Sequence, residues 1–106
     1  PDNNVKMALQ KIAYFRALEC FEAGDYDRTL ELLDVADANR YTAKYTALTK
    51  FWRAETYVRK GDYAKAQPLY EAYVALSPSN ERENRMAQYI LLFQCQAVGQ
   101  GRREVQ

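Results

Sequence analysis

The stretch that decides the fold is Gly24-Asp25-Tyr26, which returns as Gly61-Asp62-Tyr63 at a spacing of 37 residues. Each copy lies between two segments whose apolar residues recur at helical spacing. Like segments repeated every 20–50 residues, roughly, are typical of proteins that stack one supersecondary unit. The match continues beyond the turn, since Ala17 pairs with Ala54 at the same spacing. We therefore expect two copies of one helical hairpin.

A third and less complete copy follows the second. Gly99 comes 38 residues after Gly61, behind another apolar segment of helical periodicity. In this copy Gln100-Gly101 stands where the Asp-Tyr of the turn is expected. The chain therefore predicts two hairpins and one further helix.

Helix starts and stops can be assigned from the turn residues. Gly24 and Gly61 supply the left-handed backbone that commonly ends a helix, and Asp25 and Asp62 are suited to cap the helix that follows. No strand alternation is present, so we expect an all-α chain with about five helices. The predicted helices cover residues 5–23, 26–38, 42–60, 63–76 and 81–98.

The same periodicity predicts which side chains are buried. In the first helix the expected buried stripe is Leu9, Ala13, Ala17 and Cys20, at steps of four, four and three. Where the helices of a hairpin meet, we expect buried tyrosines, because their rings fill a contact and leave a polar tip. These core tyrosines are Tyr26, Tyr57, Tyr63 and Tyr70.

The composition argues against catalysis. The 106 residues include no histidine, which excludes serine–histidine and cysteine–histidine nucleophile systems and histidine metal sites. A single glycine per turn offers no cluster of backbone donors for a phosphate group. We expect a protein that is not an enzyme and that uses no metal or cofactor.

The charge pattern limits the classes of partner. The formal net charge is +1, and acidic and basic residues alternate along the chain. The basic cluster Arg102-Arg103 is too short to predict a nucleic-acid site. No apolar run approaches the length of about 18 residues expected for a membrane-spanning helix. We expect neither nucleic-acid binding nor direct membrane insertion.

The second copy resembles a tetratricopeptide repeat, a hairpin that stacks into a right-handed helical solenoid. In that family a small residue of the first helix packs against the second helix, and Ala54 matches it. Tyr57 matches the aromatic residue one turn later, and the Gly-Asp-Tyr turn comes next. The remaining matches are Ala66, Tyr70 and the closing proline, Pro78.

The first copy carries the same pattern with substitutions. Cys20 replaces the aromatic residue, Thr29 replaces the alanine, and no proline closes the unit. The resemblance implies a single domain over residues 1–106. Its parts are repeat one at about 10–43, repeat two at about 47–80, a half-repeat or capping helix at about 81–99 and a tail at 100–106.

The resemblance also implies a binding surface. In tetratricopeptide arrays one stripe of each first helix lines a concave groove that takes a peptide or a partner helix. On that stripe this chain has aromatic rings and a few charges, which suit such a ligand. The expected groove residues are Tyr14, Leu18, Trp52, Glu55, Arg59, Tyr89 and Phe93.

The expected function is a non-catalytic protein-interaction module with a protein or peptide partner, as part of a longer array. Family members that hold a C-terminal carboxylate use lysines and asparagines where this chain has Tyr14, Leu18 and Trp52. An apolar or mixed ligand is therefore expected. One alternative stays open, a structural or self-assembly segment whose groove is filled by its own chain or by a second subunit.

Self-association is expected through the fifth helix. This helix is apolar around most of its circumference, and such a helix needs burial on more than one side. A terminal repeat normally presents a polar outer face to solvent. The residues expected to make the contact in a homodimer or larger assembly are Ile90, Leu91 and Leu92.

One detail bears on location. Phe51-Trp52 followed by Ala54-Glu55 resembles tetratricopeptide proteins of bacterial cell envelopes, such as periplasmic partners of constriction and outer-membrane assembly machinery. That resemblance favours a bacterial periplasmic or envelope location over the cytoplasm. The residues themselves leave the compartment unknown.

Overall fold

The structure is a computed structural model that describes residues 3–76, and all regular elements in this range are helices. Helix α1 spans Asn3–Glu22, α2 spans Tyr26–Ala38, α3 spans Ala43–Arg59 and α4 spans Tyr63–Leu76. No strand occurs between residues 3 and 76. The all-α prediction is confirmed there, and both ends of each of the four helices agree with the predicted bounds to within two residues. The predicted helix at 81–98 and the tail at 100–106 lie outside the described residues.

The two turns have the predicted geometry. Gly24 has a φ of 81° and Gly61 a φ of 82°, so both glycines adopt the left-handed backbone. In each turn the following aspartate, Asp25 or Asp62, accepts a hydrogen bond of 3.3 Å at Oδ1 from the backbone N–H three residues later. The two aspartates therefore cap α2 and α4, as predicted.

Each turn joins two helices that pack against each other, α1 against α2 and α3 against α4. Because each turn is short, the helices of a pair run antiparallel. Ala17 and Ala54 are fully buried, in agreement with the prediction that a small residue lies where the helices approach closely. On the second helices, Leu33 and Tyr70 are fully buried in equivalent positions.

Two of the core predictions are wrong. Leu9 is exposed, because the buried face of α1 is rotated by one residue from the predicted stripe and places Gln10 inside. Tyr63 is also exposed, since it is the first residue of α4 and lies at the end of its hairpin. Cys20, Tyr26 and Tyr57 are half-buried, and Tyr70 is fully buried as predicted. The buried residues of α1 are Gln10, Ala13, Tyr14, Ala17 and Phe21.

A buried glutamine connects the two hairpins. Gln10 Oε1 accepts hydrogen bonds from the backbone N–H groups of Thr42 at 2.8 Å and Tyr41 at 3.3 Å. Its Nε2 donates to Thr46 Oγ1 at 3.0 Å. The first backbone N–H groups of a helix lack partners within the helix. Gln10 therefore holds the start of α3 against α1.

An ion-pair network joins α2 to α3. The Arg53 guanidinium contacts Asp34 Oδ1 at 2.9 Å and Asp37 Oδ2 at 2.7 Å. Thr49 Oγ1 donates to Asp37 Oδ1 at 2.7 Å. The Arg53 and Asp37 side chains are both mostly buried, so solvent screens this pair less than the pair with the exposed Asp34. We call Asp34 and Asp37, one turn apart on α2, the aspartate pair.

Candidate functional site

Four aromatic side chains form a continuous contact between α1 and α3, which we call the aromatic seam. It consists of Tyr14 and Phe21 from α1 and Tyr45 and Trp52 from α3. The Trp52 indole N–H donates to the Tyr14 hydroxyl at 3.1 Å. The Phe21 ring meets the Trp52 ring edge to face at 5.2 Å, and Tyr14 lies 5.1 Å from Tyr45. The seam therefore fixes the indole of Trp52 from two sides.

The seam shows that α1 and α3 run parallel. Tyr14 contacts Trp52, and Phe21, two turns further along α1, contacts Arg59, two turns further along α3. Parallel first helices place equivalent residues of the two hairpins on one side of the molecule. The α1–α3 surface is therefore continuous across both hairpins.

Arg59 lies beside the seam. Its guanidinium lies 5.1 Å from the centre of the Phe21 ring, and the residue is exposed. Contacts of this type contribute about 0.5–1 kcal/mol at exposed sites. Because Phe21 also contacts Trp52, the positive charge of Arg59 and the indole ring share one neighbour.

A buried tyrosine of α4 donates a hydrogen bond to Glu55 of α3. The fully buried Tyr70 donates its hydroxyl hydrogen to Glu55 Oε1 at 2.7 Å. Burial raises the pKa of Tyr70 well above its usual value, and the hydrogen bond to the Glu55 carboxylate raises it further. Tyr70 therefore stays protonated and holds one carboxylate oxygen of Glu55 by a hydrogen bond.

Five of the seven predicted groove residues lie within the described part of the chain. Tyr14 and Trp52 are in direct contact, and Tyr14 is buried within the seam, so its ring fills the junction between the hairpins. Leu18, Trp52 and Glu55 are half-buried, and Arg59 is exposed. Tyr89 and Phe93 lie outside the described residues, as do the predicted self-association residues Ile90, Leu91 and Leu92.

Sequence reasoning missed two members of the seam. Phe21 follows Tyr14 by seven residues, and Tyr45 precedes Trp52 by seven residues. A spacing of seven places two residues on the same side of a helix after two turns. That spacing could have identified both residues, because each shares the stripe of a residue already assigned to the groove.

The half-buried and exposed residues of this surface carry an indole, a carboxylate and a guanidinium. Within residues 3–76 no group of three or more His, Cys, Asp or Glu side chains could hold a metal ion. In the same range no helix is long and apolar enough to cross a lipid bilayer. Tryptophan and arginine are among the residues enriched at protein-binding surfaces.

Comparisons of the chain with protein-family models, with curated proteins and with solved structures give no match in any of the three.

Proposed function

We propose that this chain is a non-catalytic interaction module of tetratricopeptide type that binds a protein or peptide partner. The proposed binding surface, which we call the groove surface, consists of Leu18, Trp52, Glu55 and Arg59. The observation that carries the proposal is the state of Trp52, which is half-buried and held by Tyr14 and Phe21. A large ring that is already ordered loses little side-chain entropy on binding.

The geometry of the two hairpins supports the proposed tetratricopeptide type. Both turns combine a left-handed glycine with a capping aspartate. Both first helices bury an alanine at the equivalent place, Ala17 and Ala54. The parallel arrangement of α1 and α3 agrees with two units stacked in the same orientation.

The groove surface defines the chemistry of the proposed ligand. Leu18 and Trp52 offer apolar contact area, and Trp is among the residues that most often dominate binding energy. Glu55 and Arg59 add opposite charges one turn apart on α3. The ligand is therefore an extended peptide or a helix with an apolar anchor flanked by at least one charged side chain.

The test begins by selecting, from a displayed library of random peptides, those that bind to the full chain. Amide resonances are then followed while a selected peptide is added. We expect the largest shifts at Leu18, Trp52, Glu55 and Arg59, and we expect Leu18→Glu to abolish binding. The matched control is Val35→Glu, since Val35 is an exposed apolar residue on α2. Shifts confined to residues distant from these four would contradict the proposal.

A second candidate is a structural or self-assembly segment. It is favoured by the direct contact between Tyr14 and Trp52, because the chain's own rings already fill part of the α1–α3 surface. For this candidate the sequence predicts that the contact between subunits involves Ile90, Leu91 and Leu92. Sedimentation of the full chain distinguishes the two. The second candidate is favoured if the chain is a dimer that Leu91→Glu dissociates, and if the library yields no peptide that binds the chain.

A further inference from the structure

The side of α1 that faces away from α2 and α3 carries an exposed stripe. It runs at helical steps of four, three, four and three, and three of its members are large apolar residues. Ile12, at its centre, is 58% exposed. We call this stripe the outer face of α1, and its residues are Val5, Leu9, Ile12, Arg16 and Glu19. A shallow cleft lies along it, lined by Ala8, Lys11, Ile12, Phe15, Arg16 and Glu19.

The equivalent stripe on α3 is covered by the first hairpin. Adding the repeat spacing of 37 residues to the outer face of α1 gives Thr42, Thr46, Thr49, Arg53 and Thr56. Thr42 and Thr46 bond to Gln10, and Thr49 and Arg53 bond to the aspartate pair. Thr49 and Thr56 are fully buried. This stripe of a first helix is therefore the one against which a preceding hairpin packs.

One charged residue of this stripe, an arginine, is the same in both hairpins. Arg16 on α1 is the equivalent of Arg53 on α3. Arg53 contacts both members of the aspartate pair, at 2.9 Å and 2.7 Å. Arg16 is exposed and projects from an apolar stripe in which Ile12 replaces Thr49. The outer face of α1 thus offers the same arginine with more apolar area around it.

We propose that the outer face of α1 is a stacking surface for one further helical hairpin of the same kind. The second helix of that hairpin carries two carboxylates one turn apart, which contact Arg16 as the aspartate pair contacts Arg53. An apolar residue of the same helix packs on Ile12. The proposal rests on the contact between the two hairpins and does not depend on the groove surface.

One position specifies the partner further. Glu19 stands where α3 has the fully buried Thr56. Thr56 lies between Arg53, which contacts Asp34, and Lys60, which contacts Asp27. A buried carboxylate needs a partner that donates hydrogen bonds or carries a positive charge. The stacked helix therefore carries a donor side chain before its two carboxylates, opposite Glu19.

The test adds a hairpin of known sequence to the chain. A copy of residues 3–40 is joined directly before Asn4, which reproduces the spacing between the two existing hairpins. Arg16→Ala is made in the original part of the chain and not in the added copy. We expect it to lower the unfolding midpoint of the extended chain by about 2–4 °C, and to leave the midpoint of the original chain nearly unchanged. Glu19→Thr is expected to raise the midpoint of the extended chain only.

Lys11→Ala is the control, because Lys11 lines the cleft but lies off the stripe, and its effect should be equal in both chains. Equal effects of Arg16→Ala in the two chains would overturn the proposal. If the extended chain does not fold, a peptide of residues 25–40 is added to the original chain instead. The proposal is supported if this peptide shifts the amide resonances of Ile12 and Arg16, and if the same peptide with D34N and D37N does not. The absence of such shifts contradicts it.

A second copy of the chain is the competing occupant. Sedimentation of the original chain tests it directly. A dimer that dissociates with Ile12→Glu, and that persists with Leu91→Glu, would assign the outer face to self-association and overturn the proposed occupant. A monomer, or a dimer that Ile12→Glu leaves intact, agrees with stacking of a further hairpin.

Discussion

The turn of the first hairpin and the turn of the second are nearly the same, whereas the cores beside them differ. Gly24 and Gly61 differ in φ by one degree, and the two capping aspartates bond at the same distance. In the core, Leu33 and Ala36 of α2 correspond to Tyr70 and Tyr73 of α4, and all four are buried.

The bulk of each core comes from a different helix. In the first hairpin the large buried rings, Tyr14 and Phe21, belong to α1, where they also form the aromatic seam with α3. In the second hairpin they belong to α4, and Phe51 of α3 packs on both Tyr70 and Tyr73. A core keeps its stability when total volume and pattern are preserved. The two hairpins therefore share the turn and the small residue at the helix contact. The large buried side chains, in contrast, lie on the first helix of one hairpin and on the second helix of the other.

The strongest test of this comparison is to enlarge the shared small residue. Ala17→Phe and Ala54→Phe should each destabilise the chain by up to about 3 kcal/mol, because overpacking a close helix contact forces side chains and backbone apart. Urea unfolding of each variant measures the effect. Ala64→Phe is the control, since Ala64 is exposed on α4, and it should be nearly silent. A silent Ala17→Phe would show that the two hairpins do not share one contact.

The next test concerns the junction between the hairpins. Gln10→Ala should cost about 2 kcal/mol, because the backbone N–H groups of Tyr41 and Thr42 lose a buried acceptor. The equivalent residue of the second hairpin is Ala47, which cannot make these bonds. Hydrogen exchange should therefore quicken at Thr42 in the variant. Unchanged exchange there would contradict the assigned role of Gln10.

The turns should respond equally to one substitution. Gly24→Val and Gly61→Val should each cost about 1–2 kcal/mol, the expected penalty for a left-handed backbone at an L-residue. An added Cβ at either glycine meets no atom within 4 Å, so the cost comes from the backbone alone. Thermal unfolding measures both. A loss below about 0.5 kcal/mol at either site would contradict the left-handed geometry there.

The smallest expected effect is specific to the second hairpin. Tyr70→Phe should cost about 1 kcal/mol through loss of the hydrogen bond to Glu55. The pKa of Tyr70 is raised in the folded chain above its ordinary value of 10.0, so folding disfavours the ionised form. The stabilisation by neutral Tyr70 is complete below pH 10 and is lost as pH rises beyond it. Tyr70→Phe should therefore show a weaker fall in stability above pH 10, and an identical fall would contradict this.

The helices could be predicted from sequence because their signals are local. Glycine followed by aspartate acts within one turn, and this pattern predicted the boundaries next to Gly24 and Gly61 to within two residues. The burial of Ala17 and Ala54 followed from the repeat itself.

The junction could not be predicted, because its contacts join residues more than ten positions apart. A glutamine on the buried face of α1 appears polar in the sequence, and only the position of α3 shows which groups it satisfies. Periodicity alone also places Leu9 in the core, although it is exposed. The side of α1 that is buried depends on its contact with α3, which the sequence of α1 does not contain. Similarly, burial of Tyr14 depends on Trp52 and Tyr45, which lie on another helix.

The most direct test of the proposed function is the fluorescence of Trp52, which is the only tryptophan in the chain. The chain is titrated with peptides selected for binding to it. If the groove surface binds the partner, the emission of Trp52 changes in a saturable way, and Leu18→Glu abolishes the change while Val35→Glu does not. Selected peptides that bind with unchanged Trp52 emission would contradict the account, because binding would then occur away from the groove surface.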